Sequence, residues 1–599
     1  MPFSEKYYVL LFPIRQFIFY ITALIVWKLI FIGYNEVPEL INPLLAGVRL
    51  DTSMICGVFL VGFIPYCIFL MTGWKTALIL FKYLHLTLWL IVSIVAFSSI
   101  LLYKEWGSTL DTRAVSYVLH PNEAWASVKD FIPFHLVFWG LIILVSGYYW
   151  LRLQINTLRP IKSAYFTNSF YLVILGAFSF LGLRGGWQKL PIVPSDAFYS
   201  TEMKNNFAAT NSVWYFLYSL KKSTKISPQY PNNAIKKYEK GYLSNYCNSD
   251  SLSGIWKSKH IILIIAEGWS ADMVEYLYAK DKVTPFFDSL CQHSVRFTNA
   301  FSTGFRTDQG LMSIISGIPS IQSTNMPNII DKARHYPSLP AIMQSQGRKT
   351  SFIYGGDLNF SNLFNYLTLM KFDTIIRDKD FNTENRTTDW GVPDHITVDK
   401  AVEVMNQSDG LFFSTLLLLS SHSPFEVPIP NKFSEKSGIR AKYMSSVAYS
   451  DMAIRRFFEH AKRMAWYNDA IFIITSDHGS THSGWAGMSD HNRFRIPLIV
   501  FDPQMTFGSK EREYNLPCNH FDIPKTICNM MGMDGNNFLF GRNIFCNDSN
   551  RKAYWNVDTE AGYYGLNQKE ITPLNVQKDT ILKESILFLD MVKNWFNQL

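Results

Sequence analysis

Five long apolar runs occupy the first third of this 599-residue chain and constrain its fold more than any other feature. Each run carries almost no charge, and most approach the roughly 20 residues that a helix needs to cross a bilayer. The runs cover residues 14–33, 54–72, 80–102, 131–151 and 168–184. We therefore predict an α-helical membrane domain of five transmembrane helices over residues 1–184. The last run is the shortest, and its length is also compatible with a buried helix.

Basic residues in the short loops predict the orientation of these helices. Lys and Arg dominate alternate loops, whereas the other loops mix them with Asp and Glu, and cytoplasmic loops are the ones that carry the basic excess. The residues predicted inside are Lys6, Arg15, Lys75, Lys82, Arg152, Arg159 and Lys162. An odd number of crossings then places residues 185–599 outside the cytoplasm. The first run lacks a small-residue cleavage site, so we expect it to remain as an anchor in the cytoplasmic membrane.

Cysteine usage and net charge limit what can be said about disulfides and about nucleic-acid binding. Two of the seven cysteines lie in an apolar run, and the others lie in the outer region, where disulfides can persist. Their odd number leaves at least one cysteine free or paired elsewhere, and no pattern specifies a pairing or an oligomeric state. The net charge of +8 is spread along the chain without a basic stripe, so no nucleic-acid partner is expected.

The remainder of the chain changes character twice. Residues 185–255 are rich in Pro, Asn, Ser and Lys and are predicted to be a connector with one helix near 212–218. Residues 256–599 alternate apolar strands with helical stretches, including a long helix at 441–464 and a strand at 495–501. This alternation predicts an α/β domain with a mostly parallel sheet covered by helices.

Four predicted strands end directly in polar residues that suit a binding site. They are the strands 260–266, 350–354, 411–419 and 470–476, which lead into Glu267, Asp357, His422 and the pair Asp477-His478, respectively. Ligand crevices in open α/β sheets lie outside the carboxyl ends of the strands, so these side chains are expected to share one edge. Carboxylate and imidazole ligands together suit a divalent ion such as Zn²⁺ or Mn²⁺.

A loop at residues 301–306 runs into an apolar-faced helix that starts near Thr307. A hydroxyl at a helix N-terminus lies beside unpaired backbone N–H groups and the positive end of the dipole, where a phosphate would be held. An isolated Thr at such a position is more commonly an N-cap. A nearby cation favours the other role, because a metal-bound hydroxyl is an activated nucleophile.

Five short motifs follow one another in the second half of the chain. They are Ala266-Glu267-Gly268-Trp269-Ser270, Gly304-Phe305-Arg306-Thr307-Asp308-Gln309-Gly310, Ser421-His422-Ser423-Pro424-Phe425, Ser476-Asp477-His478-Gly479 and Asp490-His491-Asn492. In this order they resemble the lipoteichoic acid synthase and phosphoglycerol transferase family of the alkaline phosphatase and sulfatase superfamily. The resemblance covers roughly residues 256–545, and the five apolar runs match the family's membrane anchor. Each motif is weak alone, and the set is specific.

The resemblance implies a sulfatase-like catalytic domain and roles for individual residues. One divalent metal, Mn²⁺ or Zn²⁺ with Mg²⁺ as a further option, would be held by Glu267, Thr307, Asp477 and His478. Thr307 would also be the nucleophile. His422 and His491 match the family's substrate-side histidines. Protonation of a leaving oxygen, contact with the phosphate and binding of a second metal stay open for both.

The resemblance also implies a membrane-anchored phosphotransferase. Its donor would be a phospholipid, foremost phosphatidylglycerol, whose glycerol phosphate passes through a phospho-threonine intermediate on Thr307. Its acceptor would be a hydroxyl on a glycan or a growing polymer of the cell envelope. A lipid donor stays in the bilayer, which gives the anchor a physical purpose.

The substrate side departs from the family pattern. In the family, the segment after the middle strand carries a histidine, a tryptophan and an arginine that grip glycerol phosphate, whereas residues 354–364 retain only Asp357. We take Arg306, Asp357 and Asn359 as candidate substrate-binding residues. An ordinary turn accounts equally well for the segment around Asp357, and Arg306 is open between a phosphate contact and a solvent position.

Three other functions are open at this point. A phosphoethanolamine transferase acting on a glycan or lipid A-like acceptor shares the fold, metal and threonine, although its nucleophile loop is usually rich in cysteine. A sulfatase-like hydrolase is disfavoured because residues 306–310 lack the Cys/Ser-x-Pro-x-Arg pattern. A transport or sensing module with an inactive outer domain is disfavoured by the complete ligand set, and because Lys82, His85 and His135 lie near predicted helix ends.

Overall fold

The computed structural model describes residues 8–599 apart from a number of mostly short segments. The segments outside the description are residues 107–108, 112–132, 162–164, 188–190, 193, 198, 201–202, 221–225, 245–252, 323, 359–362, 431, 434–437, 485–489, 506–511 and 575–581. The contacts of the described residues divide the chain into two compact units, one within residues 8–223 and the other within 224–599.

The first unit is helical. Its helices are α1 (Tyr8–Tyr34), α2 (Ile41–Thr72), α3 (Lys75–Trp106), α4 (Phe134–Asn156), α5 (Tyr165–Arg184), α6 (Met203–Ala209) and α7 (Ser212–Leu220). Among the described residues, α1 to α5 are long and apolar enough to cross a membrane, which agrees with the five predicted runs. The predicted helix near 212–218 is α7.

Helix α2 begins well before the apolar run at 54–72 that predicted it. The reason is a buried ion pair, in which Lys28 Nζ of α1 lies 2.6 Å from Asp51 Oδ2 of α2. Asn211 donates to the other Asp51 oxygen at 2.8 Å, and Lys28 also donates to the carbonyl of Ala209. Because each buried charge has partners, charged residues interrupt the apolar pattern without interrupting the helix.

The second unit is built on an eight-stranded sheet in the order β5-β4-β6-β1-β7-β8-β2-β9. The strands of this unit are β1 (His260–Ala266), β2 (Val295–Phe297), β3 (Ala300–Phe301), β4 (Lys349–Tyr354), β5 (Thr374–Ile376), β6 (Phe412–Leu417), β7 (Ala470–Ser476), β8 (Leu498–Phe501), β9 (Glu513–Tyr514), β10 (Cys518–Asn519), β11 (Ala553–Asn556), β12 (Glu560–Gly565) and β13 (Gln568–Pro573). Strands β5, β4, β6, β1 and β7 are mutually parallel, whereas β8 is antiparallel to β7. The prediction of a mostly parallel sheet is confirmed.

Helices cover both faces of this sheet. They are α8 (Asn232–Ser244), α9 (Pro285–Cys291), α10 (Thr307–Ser316), α11 (Ile330–Ala333), α12 (Leu339–Ser345), α13 (Leu363–Leu369), α14 (Asp394–Asn406), α15 (Ile439–Ala461), α16 (Asp522–Met530) and α17 (Glu584–Gln598). Alternate residues of β1 pack into two different cores, with Ile261 and Leu263 in one and Ile262 and Ile264 in the other. Burial on both faces explains why the central strands are continuously apolar.

The two units divide the segment predicted as a connector at 185–255. Helices α6 and α7 belong to the helical unit, where Phe207 packs with Trp27 of α1. Helix α8 belongs to the sheet unit, where Ile235 and Tyr242 join one of the two cores. The helices before residues 221–225 therefore pack into a core of the helical unit, and the helix after them packs into a core of the sheet unit.

Several elements differ in length from their predictions, among them the predicted strand 411–419, which is β6 over Phe412–Leu417. The predicted helix 441–464 is α15, which ends three residues earlier at Ala461. The predicted strand 495–501 begins only at Leu498, because the Arg495 guanidinium donates to the carbonyl of Thr298 and Pro497 has no N–H for a ladder. Among the described cysteines Cys546 is disulfide-bonded, whereas Cys291, Cys518 and Cys528 are free and buried.

Candidate active site

Neighbouring strands bring three predicted ligands together. Strands β1 and β7 pair in parallel with Ala266 opposite Ser476, so the residues that follow them, Glu267 and Asp477, leave the sheet side by side. Ligand atoms of Glu267, Asp477 and His478 all lie within 4.8 Å of one another. The carboxyl ends of β6 and β4 lie beyond β1 in the same sheet and lead to His422 and Asp357.

The distances within this cluster are those of a shared ion site. His478 Nε2 lies 3.4 Å from Glu267 Oε1 and 3.5 Å from Asp477 Oδ2. Thr307, from a distant part of the chain, donates its hydroxyl to Glu267 Oε2 at 3.3 Å. The four residues expected to bind metal are therefore assembled in one place by β1, β7 and α10.

The hydrogen bonds around the cluster leave its inner atoms for a cation. Asp477 Oδ1 accepts from the backbone N–H groups of Gly268 and His478, both at 2.8 Å. Asp477 Oδ2 is buried and accepts no hydrogen bond from a described residue. His478 Nδ1 donates to the carbonyl of Gly479 at 3.1 Å, so Nε2 is the nitrogen that would bind a cation once it has lost its proton. A carboxylate oxygen without a partner beside this nitrogen fits Mn²⁺ or Zn²⁺.

The pKa values of the cluster also indicate that a cation suits this position. Burial, reinforced by the charge of Asp477, raises the pKa of Glu267 to about 8. Burial opposes a charged His478, but the carboxylates of Asp477 and Glu267 outweigh it and raise the pKa of His478 to about 9. Glu267 and His478 thus hold protons in the place where a cation would balance the charge.

Metal binding should therefore release protons at pH 7. The metal binds deprotonated ligands, and Glu267 and His478 stay protonated below pKa values of about 8 and 9, so affinity should rise with pH through this window and then level off. Calorimetric titration with Mn²⁺ or Zn²⁺ in two buffers of different ionisation enthalpy measures the protons directly. An affinity that is flat across the window would contradict the ligand assignment.

The helix that carries Thr307 approaches the cluster closely. Thr307 is the first residue of α10, and Arg306 is the N-cap, so the Thr307 side chain does not cap the helix. A Cβ on Gly310 would lie 2.2 Å from the carbonyl oxygen of Asp477, which means that only glycine allows α10 this position. The Thr307 hydroxyl and the first N–H groups of α10 consequently face the same ligand cluster.

Arg306 has a definite partner. Its Nε and Nη2 each donate to a carboxylate oxygen of Asp308 at 2.9 Å. The guanidinium is mostly buried, and its Nη1 has no hydrogen-bond partner among the described residues. A solvent position therefore does not fit, and the phosphate contact considered from the sequence stays a prediction. The pair fixes the nucleophile loop, because both residues flank Thr307 directly.

The two substrate-side histidines each lie against an aromatic ring. His422 contacts Trp390 with ring centroids 3.9 Å apart, and His491 stacks on Tyr564 at 5.7 Å with an interplanar angle of 9°. Burial lowers the pKa of His491, and the positive charge of Lys569 lowers it further. No local sequence pattern predicts these two aromatic contacts, because Trp390 lies in the loop before α14 and Tyr564 lies in β12.

The remaining predicted and missed residues lie around this centre. Asp357 is half-buried after β4. Burial raises the pKa of Asp378, and the negative charge of Asp357 raises it further. Asn359 lies outside the described residues. His520 was missed by sequence reasoning, and its Nε2 lies 2.8 Å from the carbonyl of Ser476, so it braces the end of β7 from behind.

Comparison with known proteins finds similar domains and folds. The model of the family described as Sulfatase matches residues 259–533, which include every ligand named above. A solved structure of an alkaline phosphatase superfamily protein from Vibrio parahaemolyticus shares the fold, with a TM-score of 0.52 and 23% identity over 62% of this chain and 96% of that chain. Residues 259–533 therefore match the Sulfatase family model, and the sheet unit shares its fold with the Vibrio parahaemolyticus protein.

Two curated relatives of this chain are lipoteichoic acid synthases. Lipoteichoic acid synthase 1 of Bacillus subtilis is 23% identical over 332 residues, 49% of this chain and 49% of its own length. Lipoteichoic acid synthase of Staphylococcus aureus (strain USA300) is 24% identical over 330 residues, 50% of this chain and 49% of its own length. The match spans about half the length of these relatives, and Tyr564 lies beyond the end of the Sulfatase match.

Proposed function

We propose that this chain is a membrane-anchored, metal-dependent phosphotransferase that moves a phospholipid head group, foremost glycerol phosphate from phosphatidylglycerol, to a hydroxyl acceptor. The observation that carries the proposal is the position of the Thr307 hydroxyl. It lies at the start of α10 and donates a hydrogen bond to Glu267. Glu267 belongs to a cluster of carboxylates and an imidazole in which one carboxylate oxygen has no hydrogen-bond partner among the described residues. The names of the relatives, lipoteichoic acid synthases, support an enzyme that makes a polymer of this kind.

The reaction has two balanced steps. Thr307 Oγ attacks the phosphorus of the donor, the bond from phosphorus to the diacylglycerol oxygen breaks, and the Thr307 proton ends on diacylglycerol. An acceptor hydroxyl then attacks the phospho-threonine, returns the oxygen to Thr307 and gives up its own proton to it. A bound divalent ion would lower the pKa of the hydroxyl and neutralise charge on the phosphoryl oxygens. The N-terminus of α10 adds backbone N–H groups for the same charge.

The acceptor is a hydroxyl on a glycan or growing polymer of the envelope. A hydroxyl attacks the phospho-threonine without an additional cofactor, and an outward-facing site reaches such acceptors. Diacylglycerol stays in the bilayer after the first step, so α1 to α5 keep the site at the surface that supplies the donor.

Mass spectrometry of full-length protein incubated separately with phosphatidylglycerol and phosphatidylethanolamine tests the proposal. A glycerol phosphate adduct on Thr307 would support the named donor, and a phosphoethanolamine adduct would establish the phosphoethanolamine transferase alternative instead. Thr307→Ala is the control that must carry neither adduct. Absence of an adduct from both lipids, with metal bound, would contradict the proposal.

Topology gives a separate prediction. We infer that residues 185–599 lie outside the cytoplasm, because five crossings with the basic loops inside would end there, and the disulfide at Cys546 supports an oxidising compartment. A reporter active only outside the cytoplasm should work when fused after Leu599, and one active only inside should be silent. The reverse result would imply an even number of crossings and a cytoplasmic reaction.

A further inference from the structure

We propose that Trp390 is a positioning residue for His422 and acts on the reaction through that imidazole. The inference builds on the proposed function, since His422 matters only if the site turns over a phosphodiester. Trp390 belongs to the loop before α14, and His422 follows β6, so only the fold brings them together. Their ring centroids are 3.9 Å apart at an angle of 47°.

One carbonyl group sets the orientation of both rings. The oxygen of Ser423 accepts from Trp390 Nε1 at 2.8 Å and lies 2.7 Å from His422 Nδ1. A carbonyl only accepts hydrogen bonds, so His422 Nδ1 carries the hydrogen. Nε2 is consequently the nitrogen of His422 that gains and loses a proton. The indole face beside the ring and the shared acceptor together allow the imidazole one orientation and one tautomer.

The loop that carries Trp390 is locked to the end of β4. Val392 N donates to the carbonyl of Gly355 at 2.9 Å, and Gly356 and Gly391 form an isolated bridge. A Cβ on Gly355 would lie 2.4 Å from the oxygen of Val392, and one on Gly391 would lie 2.3 Å from the oxygen of Gly355. Gly391 also has a φ of +138°, a conformation that L side chains rarely adopt.

A second anchor holds the other side of the same loop. Asp389 N donates to Glu426 Oε2 at 3.1 Å, which ties the residue before Trp390 to the segment that follows His422. The turn at Gly355-Gly356 is therefore the docking surface that presents Trp390 to His422. This turn lies in the segment at residues 354–364, where the sequence departs from the pattern of the family it resembles. The aromatic ring beside His422 belongs instead to the loop that carries Trp390.

A double-mutant cycle tests the coupling in full-length protein. Turnover is measured on phosphatidylglycerol and, independently, on an aryl phosphodiester with a poor leaving group, whose cleavage requires the metal, Thr307 and His422 but no lipid. Trp390→Ala should lower kcat on the order of 10-fold to 100-fold with His422 present, because a misplaced catalytic group costs about that much. In the His422→Ala background the same change should cost less than about twofold, since its effect then has no residue to act through.

Two further variants separate positioning from packing. Trp390→Phe keeps a ring against His422 and should recover most of the lost rate, whereas Trp390→Leu fills the space without a ring and should not. Trp595→Ala is the matched control, because Trp595 is also partly buried against the same core, and among the described residues its ring contacts are with Tyr336 and Phe540. It should leave kcat unchanged.

The pH dependence provides an independent readout. Loss of the Trp390 ring should shift the pH profile of kcat only while His422 is present, and a purely structural role would leave the profile in place. Equal losses in both His422 backgrounds, or Phe as damaging as Ala, would overturn the inference. If lipid turnover is absent but the aryl diester is cleaved, the proposed function fails while the cycle still decides the role of Trp390. No Thr307-dependent cleavage of either substrate would overturn both.

Discussion

Replacing Thr307 with alanine should abolish head-group transfer while the protein stays folded. The Thr307 hydroxyl supplies the atom that bonds to phosphorus, and removal of a nucleophile in a comparable enzyme lowers kcat on the order of 10⁶-fold. Its contribution to stability is small, because Arg306 and not Thr307 occupies the N-cap and the hydroxyl makes one hydrogen bond, to Glu267. A bond of that kind contributes about 1 kcal/mol to the free energy of unfolding.

The matched control for this substitution is Thr307→Ser, which keeps an Oγ at the start of α10. It should retain the covalent adduct and a measurable part of the turnover, with metal affinity close to that of the original protein. Rates of adduct formation and thermal unfolding of the full-length chain are the measurements. More than trace turnover by Thr307→Ala would mean that another nucleophile, or direct attack by acceptor or water, carries the reaction.

Asp477→Asn should remove the metal and the activity together. Asparagine can still accept the backbone N–H groups of Gly268 and His478 through one oxygen, so the loop after β7 keeps its shape. The atom that changes is Oδ2, the buried oxygen without a partner, which becomes an N–H₂ donor and cannot bind a cation. Because loss of an outer-shell partner alone lowers affinity about 10-fold to 100-fold, loss of this ligand should exceed that range.

The same substitution should leave the metal-free protein as stable as before, or more so. It removes one of two buried carboxylates, whose repulsion contributes to the raised pKa of Glu267. Metal content by elemental analysis and unfolding temperature with and without Mn²⁺ give both results from one preparation. Stabilisation by added metal should be lost in the variant, since a ligand stabilises only the state that binds it.

His491→Ala is the companion variant that tests the division between metal ligands and substrate-side residues. His491 stacks on Tyr564 and lies 3.5 Å from Asp490, outside the ligand cluster. Activity should fall while the metal stays largely bound. If this variant loses metal as completely as Asp477→Asn, either the site is binuclear or the assignment of the ligands is wrong.

Much of the architecture can be predicted from local patterns of apolar and polar residues in the sequence. Apolar length predicts α1 to α5, and apolar runs that end in a polar residue predict β1 and β7 with their bounds at the observed residues. These predictions succeed because hydropathy and strand periodicity act over a few neighbouring residues. The ligands Glu267, Asp477 and His478 could be named for the same reason, as each directly follows a strand.

Only the tertiary structure decides which of these ends meet and what surrounds them. Gly268 and Asp477 are 209 residues apart in the chain, and their hydrogen bond depends on β1 and β7 being neighbours in register. Trp390 reaches His422 because two glycines let separate loops touch. Long-range pairing is set by the order of strands and the packing of helices, which no local window of residues records. The sequence therefore predicts the elements and the candidate metal ligands, and the fold decides which other residues lie beside them.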